Sequence, residues 1–248
     1  MDAQIESIKK ITDKIDGWLS DKEGRFLYET AKNCKGKGVI VEIGSWKGKS
    51  TIWLAKGSIK GNNVKVFAID THTGSFEQQK NGPVWTFEEF KENIRNAKVD
   101  DIVVPIVKTS EEAEKSWGGA AVEFLWIDGA HEYELVKLDF EKWFPHLIDG
   151  GIIAFHDTIV HSGPRKVVKE NIFLSRNFRC VGFADNITFA QKVKKNSFKN
   201  RLRNRYILFI KGFYEFIAIY GYAFPKPIKQ LCKNIIKKLN ITKKLNRP

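Results

Sequence analysis

The chain has little with which to build covalent or metal staples. Its 248 residues include three cysteines, Cys34, Cys180 and Cys232, set far apart with no C-x-x-C pair. That excludes a disulfide framework and the usual zinc spacings, and it points to a reducing compartment with structural thiols. The opening stretch MDAQIESIKK mixes acids and bases and has no apolar leader, so a cytoplasmic location is expected. Internal repeats and low-complexity runs are missing. So is a phosphate loop. In VEIGSWKGKST, three residues separate Gly44 from Gly48, where a Walker loop needs four. The dinucleotide fingerprint G-x-G-x-x-G is absent as well. Glu42, at the strand end, would repel a phosphate, so ATP is not the expected ligand.

What is present supports one α/β domain with an appendage. Hydrophobic residues make up 42% of the chain, enough for a core. The net charge of +13 is unevenly spread. From Lys192 to Pro248 there are 16 Lys or Arg and one acid, Glu215, whereas the preceding residues carry 26 bases and 28 acids. A near-neutral body with a basic tail suggests an anionic partner: a membrane, a nucleic acid or an acidic glycan.

Residues 1–35 read as two helices. Ile5, Ile8, Ile11 and Ile15 recur at helical spacing, and Ser20 with Glu23 forms a capping box for the second. Strands are expected at 39–43, 64–70, 101–108, 122–128 and 150–157. Helices are expected from Ser50, over 86–97, after Ser110, and over 132–147 and 164–175. FRCVGFA and NITFAQKV form a closing antiparallel pair that turns at Asp185. The expected fold is α/β and Rossmann-like: a mostly parallel seven-stranded sheet with helices on both faces, an antiparallel C-terminal strand pair, and a basic helical extension. We divide the chain into N-terminal helices (1–35), a main domain (36–193) and the extension (194–248). Ligands of such sheets sit at the carboxyl ends of the strands.

The turn E-x-G-x-x-x-G-x-S suits a ligand with an amino-acid end. A carboxylate beside a glycine turn can hold an amine, and a helix N-terminus accepts a carboxylate. S-adenosylmethionine has such an end and a sulfonium cation. Asp70, at the end of the second strand, is placed to accept from both ribose hydroxyls; alternatively it is a simple helix cap.

Four stretches in order, VEIGSWKGKSTIWLA, VFAIDTHTGS, FLWIDGAHEYELVKLDFEKWFPHLIDGG and IIAFHDT, resemble the class I S-adenosylmethionine-dependent methyltransferases. The likeness is greatest to the bacterial O-methyltransferase group of the macrocin and cephamycin-cluster enzymes, with catechol O-methyltransferases more distant. It covers about Lys37 to Val193. It implies that Glu42, Gly44, Ser45, Gly48 and Ser50 hold the methionine end. Asp70 would hold the ribose, Thr109 and Ser110 would meet the adenine, and Asp128 would lie under the reacting centre. Metal-dependent relatives place ligands where this chain has Asp128, His156 and Asp157. His156 departs from the acid common there: an imidazole favours Mn²⁺, Fe²⁺ or Zn²⁺ over Mg²⁺, or leaves the two aspartates to bind alone. His131, three residues after Asp128, is the first choice for general base, with a helix-capping role as the alternative. His72 and Trp85 either line an acceptor pocket or pack. Asp139 either bonds back toward the fifth strand or is solvated, and His146 and His161 carry no signal.

The activity implied is O-methylation, metal-assisted, of a sugar or glycan hydroxyl, lipid-linked if the tail meets a membrane. The alternatives are a small phenol or antibiotic acceptor, with the tail as a dimerisation element, or a non-catalytic membrane-associated cofactor-binding protein. In the tail, 205–224 is aromatic and apolar but interrupted by Lys211 and Glu215, an i,i+4 pair. Ile228, Leu231, Ile235 and Leu239 follow at helical spacing among lysines. Residues 196–248 therefore lie on the inner face of an anionic membrane, or fold onto their own domain or a second copy. No nucleic-acid motif is recognised.

Overall fold

The structure, a computed structural model, describes residues 3–75, 78–220 and 224–225. The helical repeat at 228–239 lies outside them.

Two helices open the chain, α1 (Ala3–Thr12) and α2 (Asp21–Lys32). Ser20 caps α2, and the reciprocal bond from Glu23 completes the expected box. Strand and helix then alternate: β1 (Val39–Ile43), α3 (Lys49–Lys60), β2 (Val66–Asp70), α4 (Phe87–Asn96), β3 (Val103–Val107), α5 (Ser110–Lys115), β4 (Val122–Ile127), α6 (Tyr133–Trp143), β5 (Leu147–Phe155) and α7 (Ser162–Val168). The hairpin β6 (Phe178–Ala184) and β7 (Ile187–Lys192) follows, and α8 (Phe198–Tyr220) ends the described elements.

The seven strands lie in the order β3-β2-β1-β4-β5-β7-β6. β1 to β5 are parallel, and β7 runs antiparallel to both neighbours. This is the expected sheet. Its faces follow the period of two along each strand. Ile40, Phe124 and Trp126 point into a core with α1 to α4, while Val41, Leu125 and Ile127 point into a second core with α6 and α7. β4 is buried at all six positions, as a central strand covered on both faces must be. α2 and α3 cross closely because a Cβ at Gly57 would meet the Tyr28 carbonyl oxygen at 2.2 Å.

Two elements differ from expectation. The helix read over 132–147 stops at Trp143, because Pro145 lacks an N–H and turns Phe144–His146 into a 3-10 turn, and Leu147 already begins β5. The helix read over 164–175 is α7 followed by a π-helical turn, Lys169–Phe173.

The strand order reverses between β1 and β4, which opens a crevice at their carboxyl ends. α8 lies against β6 with Asn204, Ile207, Ile210 and Lys211 buried. Asn204 Nδ2 donates to the Phe178 carbonyl at 2.8 Å. Lys211 Nζ donates to the Thr158 carbonyl at 2.7 Å and pairs with Glu215 as the i,i+4 spacing predicts. Among the described residues, no helix is long and apolar enough to cross a membrane.

Candidate active site

β1 runs into its turn at Gly44, whose φ is 86°. A Cβ there would meet the Asp128 carbonyl oxygen at 2.3 Å, so glycine alone lets the ends of β1 and β4 approach this closely. Gly48 precedes α3, whose free N–H groups and positive dipole end therefore open at the crevice. Two buried polar atoms of the turn, Ser45 Oγ and Trp46 Nε1, have no hydrogen-bond partner. Orphans of this kind mark a place where a ligand is expected.

Glu42 is fully buried below the turn. Ser50 Oγ and Thr51 Oγ1 each donate to one of its oxygens at 2.5 Å. Burial pushes the carboxyl up to about 8 against these two bonds, with Asp128 and Asp70 adding repulsion. Enclosed and bonded to one another, Glu42 and Ser50 brace α3 against β1.

Asp70 is committed to backbone. Its Oδ2 accepts from the N–H groups of Ser45 (2.8 Å) and Trp46 (2.7 Å), and its Oδ1 from that of His72 (2.7 Å). Trp46 and His72 have φ of 47° and 58°, the left-handed region that costs a bulky residue about 1–3 kcal/mol. Asp70 holds both. A carboxylate oxygen offers two acceptor positions, so Oδ2 is filled and Oδ1 keeps one.

Thr109 caps α5 in a capping box with Glu112. Ser110 Oγ accepts from Trp143 Nε1 at 2.9 Å and bonds Asp139. Asp139 is therefore neither solvated nor bonded toward β5. It is buried on α6, and that burial pushes its carboxyl up to about 6. His72 is core: its ring packs on Phe87 and Phe90, and Nδ1 meets Thr86 Oγ1 at 3.0 Å. Trp85 is exposed and edge-on to it.

The ends of β4 and β5 bring the remaining candidates together. His156 Nδ1 lies 3.0 Å from Asp128 Oδ1 and 3.4 Å from Asp157 Oδ2. Its Nε2 is within ion-pair distance of Glu23 Oε1, 3.4 Å, without the alignment of a hydrogen bond. Burial alone would lower the imidazole's pKa. The Asp128 carboxylate, with Asp157 and Glu23, outweighs burial and raises it well above the ordinary value. His131 Nε2 bonds Asp157 Oδ2 at 2.9 Å, which raises the His131 pKa. Asp157 sits at φ 55° and accepts from Asn186 Nδ2 at 2.5 Å. Burial opposes its ionisation, but the bonds from His131 and His156 hold it well below the usual carboxylate range. Asp128 keeps 21% of its side chain exposed, toward the crevice. Desolvation raises its pKa against the pull of His156.

Three participants were not legible as such. Glu23 reads locally as a cap, yet its Oε1 also accepts from the Asn186 N–H at 2.9 Å and faces His156. Asn186 looks like an ordinary hairpin turn residue. His161 stacks on His131 with centroids 3.8 Å apart, which no spacing announces.

Donor atoms of Asp128, His156 and Asp157 lie within 4.8 Å of one another, as do those of His131, Asp157 and His161. Three carboxylates around one imidazolium leave negative charge in excess, and the mixed N/O donors fit a divalent cation. The orphaned Ser45 and Trp46 atoms, the glycine cradle and the α3 N-terminus fit the amino-acid end of S-adenosylmethionine.

Comparison with known proteins agrees. A family model described as a methyltransferase domain matches residues 41–158. An uncharacterized protein of Sinorhizobium fredii is 30% identical over 122 residues, 49% of this chain. A catechol O-methyltransferase of Niastella koreensis is 23% identical over 161 residues, 62% of this chain. The chain spans 13% of the first relative's length and 62% of the second's. Among solved structures, the O-methyltransferase TomG of Streptomyces achromogenes, in complex with S-adenosylmethionine, aligns with TM-score 0.55 at 16% identity, over 78% of this chain and 91% of its own. The sheet order, the glycine turn and the matched residues lead to one conclusion: residues 41–158 are similar to the methyltransferase domain family, on a Rossmann-like fold shared with solved O-methyltransferases.

Proposed function

We propose that the protein is an S-adenosylmethionine-dependent O-methyltransferase acting on a hydroxyl of a sugar or glycan. The observation that carries the reading is the acid–imidazole cluster at the ends of β4 and β5, across Gly44 from the turn with orphaned polar atoms. In this reading the turn backbone, Ser45 Oγ, Trp46 Nε1, the α3 N-terminus and the open position on Asp70 Oδ1 hold the cofactor. When bound, S-adenosylmethionine supplies an electrophilic methyl group on a cationic sulfur.

The chain's own residues do the rest. Asp128 presents negative charge to the crevice, which favours a cationic group there. Asp157 accepts from His131 Nε2, fixing the tautomer that leaves Nδ1 as the base for the acceptor hydroxyl's proton. His161 holds the ring face. Asp128, Asp157 and His156 would hold a Mg²⁺ or Mn²⁺ ion, and when bound it would supply Lewis acidity. Holding the acceptor oxygen in line accounts for much of the remaining rate.

The test is transfer of a labelled methyl group to nucleotide sugars, glycolipids and catechols, with Mg²⁺, Mn²⁺ or chelator. Transfer to a sugar hydroxyl that falls on chelation is expected. Transfer confined to catechols contradicts the acceptor, and full turnover in chelator contradicts the cation. A catechol acceptor is the second reading, favoured by the Niastella relative.

A further inference from the structure

α8 carries an exposed apolar row that the body of the protein does not use. Leu202, Tyr206, Phe209, Phe213, Phe216 and Tyr220 follow one another at steps of four, three, four, three and four, and each is exposed, Phe209 by 74%. That spacing places them on one helix face. The opposite face is fixed against the domain by Asn204, Ile207, Ile210 and Lys211. The row cannot turn inward without pulling Lys211 from the Thr158 carbonyl.

The charges around the row are of one sign. Glu215 is the one acid of α8, and it is spent on buried Lys211. Lys199, Arg203 and Arg205 border Leu202 and Tyr206 in an open depression of about 630 Å³. Beyond Tyr220 the sequence adds eight Lys or Arg and no acid. A second copy laid on this face would set cations against cations with no acid to answer them. The face calls for hydrocarbon and negative charge together, which an anionic lipid surface provides.

We propose that α8 docks on an anionic bilayer, lying in the interface with Leu202, Tyr206, Phe209, Phe213 and Phe216 at the headgroup–acyl boundary and Lys199, Arg203 and Arg205 on the phosphates. The helix then lies along the membrane and does not cross it, in keeping with the charges that interrupt its apolar residues. Through Thr158, next to Asp157, the same helix fixes the β5 end of the cluster near that surface. The inference does not depend on the acceptor: a protein that binds vesicles and methylates a soluble hydroxyl satisfies it.

The experiment is flotation of the full chain with phosphatidylcholine vesicles, with and without phosphatidylglycerol, beside a Phe209→Glu/Phe213→Glu/Phe216→Glu variant and a Lys199→Ser/Arg203→Ser/Arg205→Ser variant. Unchanged thermal unfolding shows that the variants fold. The full chain is expected to bind anionic vesicles at least ~10-fold more tightly than neutral ones, and each variant to lose ~10-fold or more with the rest of the tail intact. Three results overturn the proposal. One is no flotation. Another is variants that bind as the parent does, which assigns the binding to residues beyond α8. The third is a parent that ignores vesicles while forming a dimer, or binding an oligonucleotide, that the aromatic variant abolishes.

Discussion

Glu42 is an acid that the fold keeps from water, and this has a consequence at the scale of a single residue. Glu42 holds its proton up to about pH 8 in the folded chain, whereas an unfolded glutamate releases it near 4.5. Between those values the native state binds more protons than the unfolded state, so stability falls as pH rises through that window. Glu42→Gln keeps the hydroxyl partners and removes the titration. Thermal unfolding of the variant is expected to decline less between pH 5 and pH 8 than that of the parent; parallel declines would mean that Glu42 is charged in the fold. His131 is the residue whose loss should touch chemistry alone. His131→Ala is expected to cut turnover by ~10²-fold or more while S-adenosylhomocysteine affinity holds. An unchanged rate would remove it from the mechanism. The local part of this was legible: a glycine turn after a buried strand, acids at strand ends, a histidine three residues past Asp128. What Asp70 bonds to was not, since a carboxylate's partners depend on loops brought in from elsewhere, as the Ser45 and Trp46 N–H groups are for Asp70.

Whole elements were legible where the signal was periodic or local. The alternation of Ile40 and Val41, and of Phe124 and Leu125, assigns two cores to one sheet. The Ser20–Glu23 box is a four-residue pattern and forms as expected. The link from α2 to the β6–β7 turn, Glu23 to Asn186, spans 163 positions, and no window of sequence contains it. Glu23→Gln keeps the cap and removes the charge facing His156. α8 shows the same division. Its pair Lys211–Glu215 follows from spacing, but the burial of Lys211 against Thr158 does not. Lys211→Ala strips a buried charge pair and is expected to cost about 3 kcal/mol in denaturant unfolding, while Lys211→Met with Glu215→Leu recovers most of it. Equal stabilities for the single variant and the parent would show that α8 is not docked in solution.

At the scale of the molecule, charge is sorted by place. Acids and imidazoles gather at the carboxyl ends of β4 and β5, cations gather on and after α8, and the body between is near neutral. The crevice is thereby set for a cationic donor and against a polyphosphate, and the whole account rests on that preference. Titration calorimetry with S-adenosylhomocysteine and with ATP tests it most directly. The account predicts one site per chain for S-adenosylhomocysteine, weakened at least ~10-fold by Asp70→Ala as the turn it holds relaxes, and no heat from ATP. Saturable ATP binding at the Gly44–Gly48 turn, with none from S-adenosylhomocysteine, would contradict it.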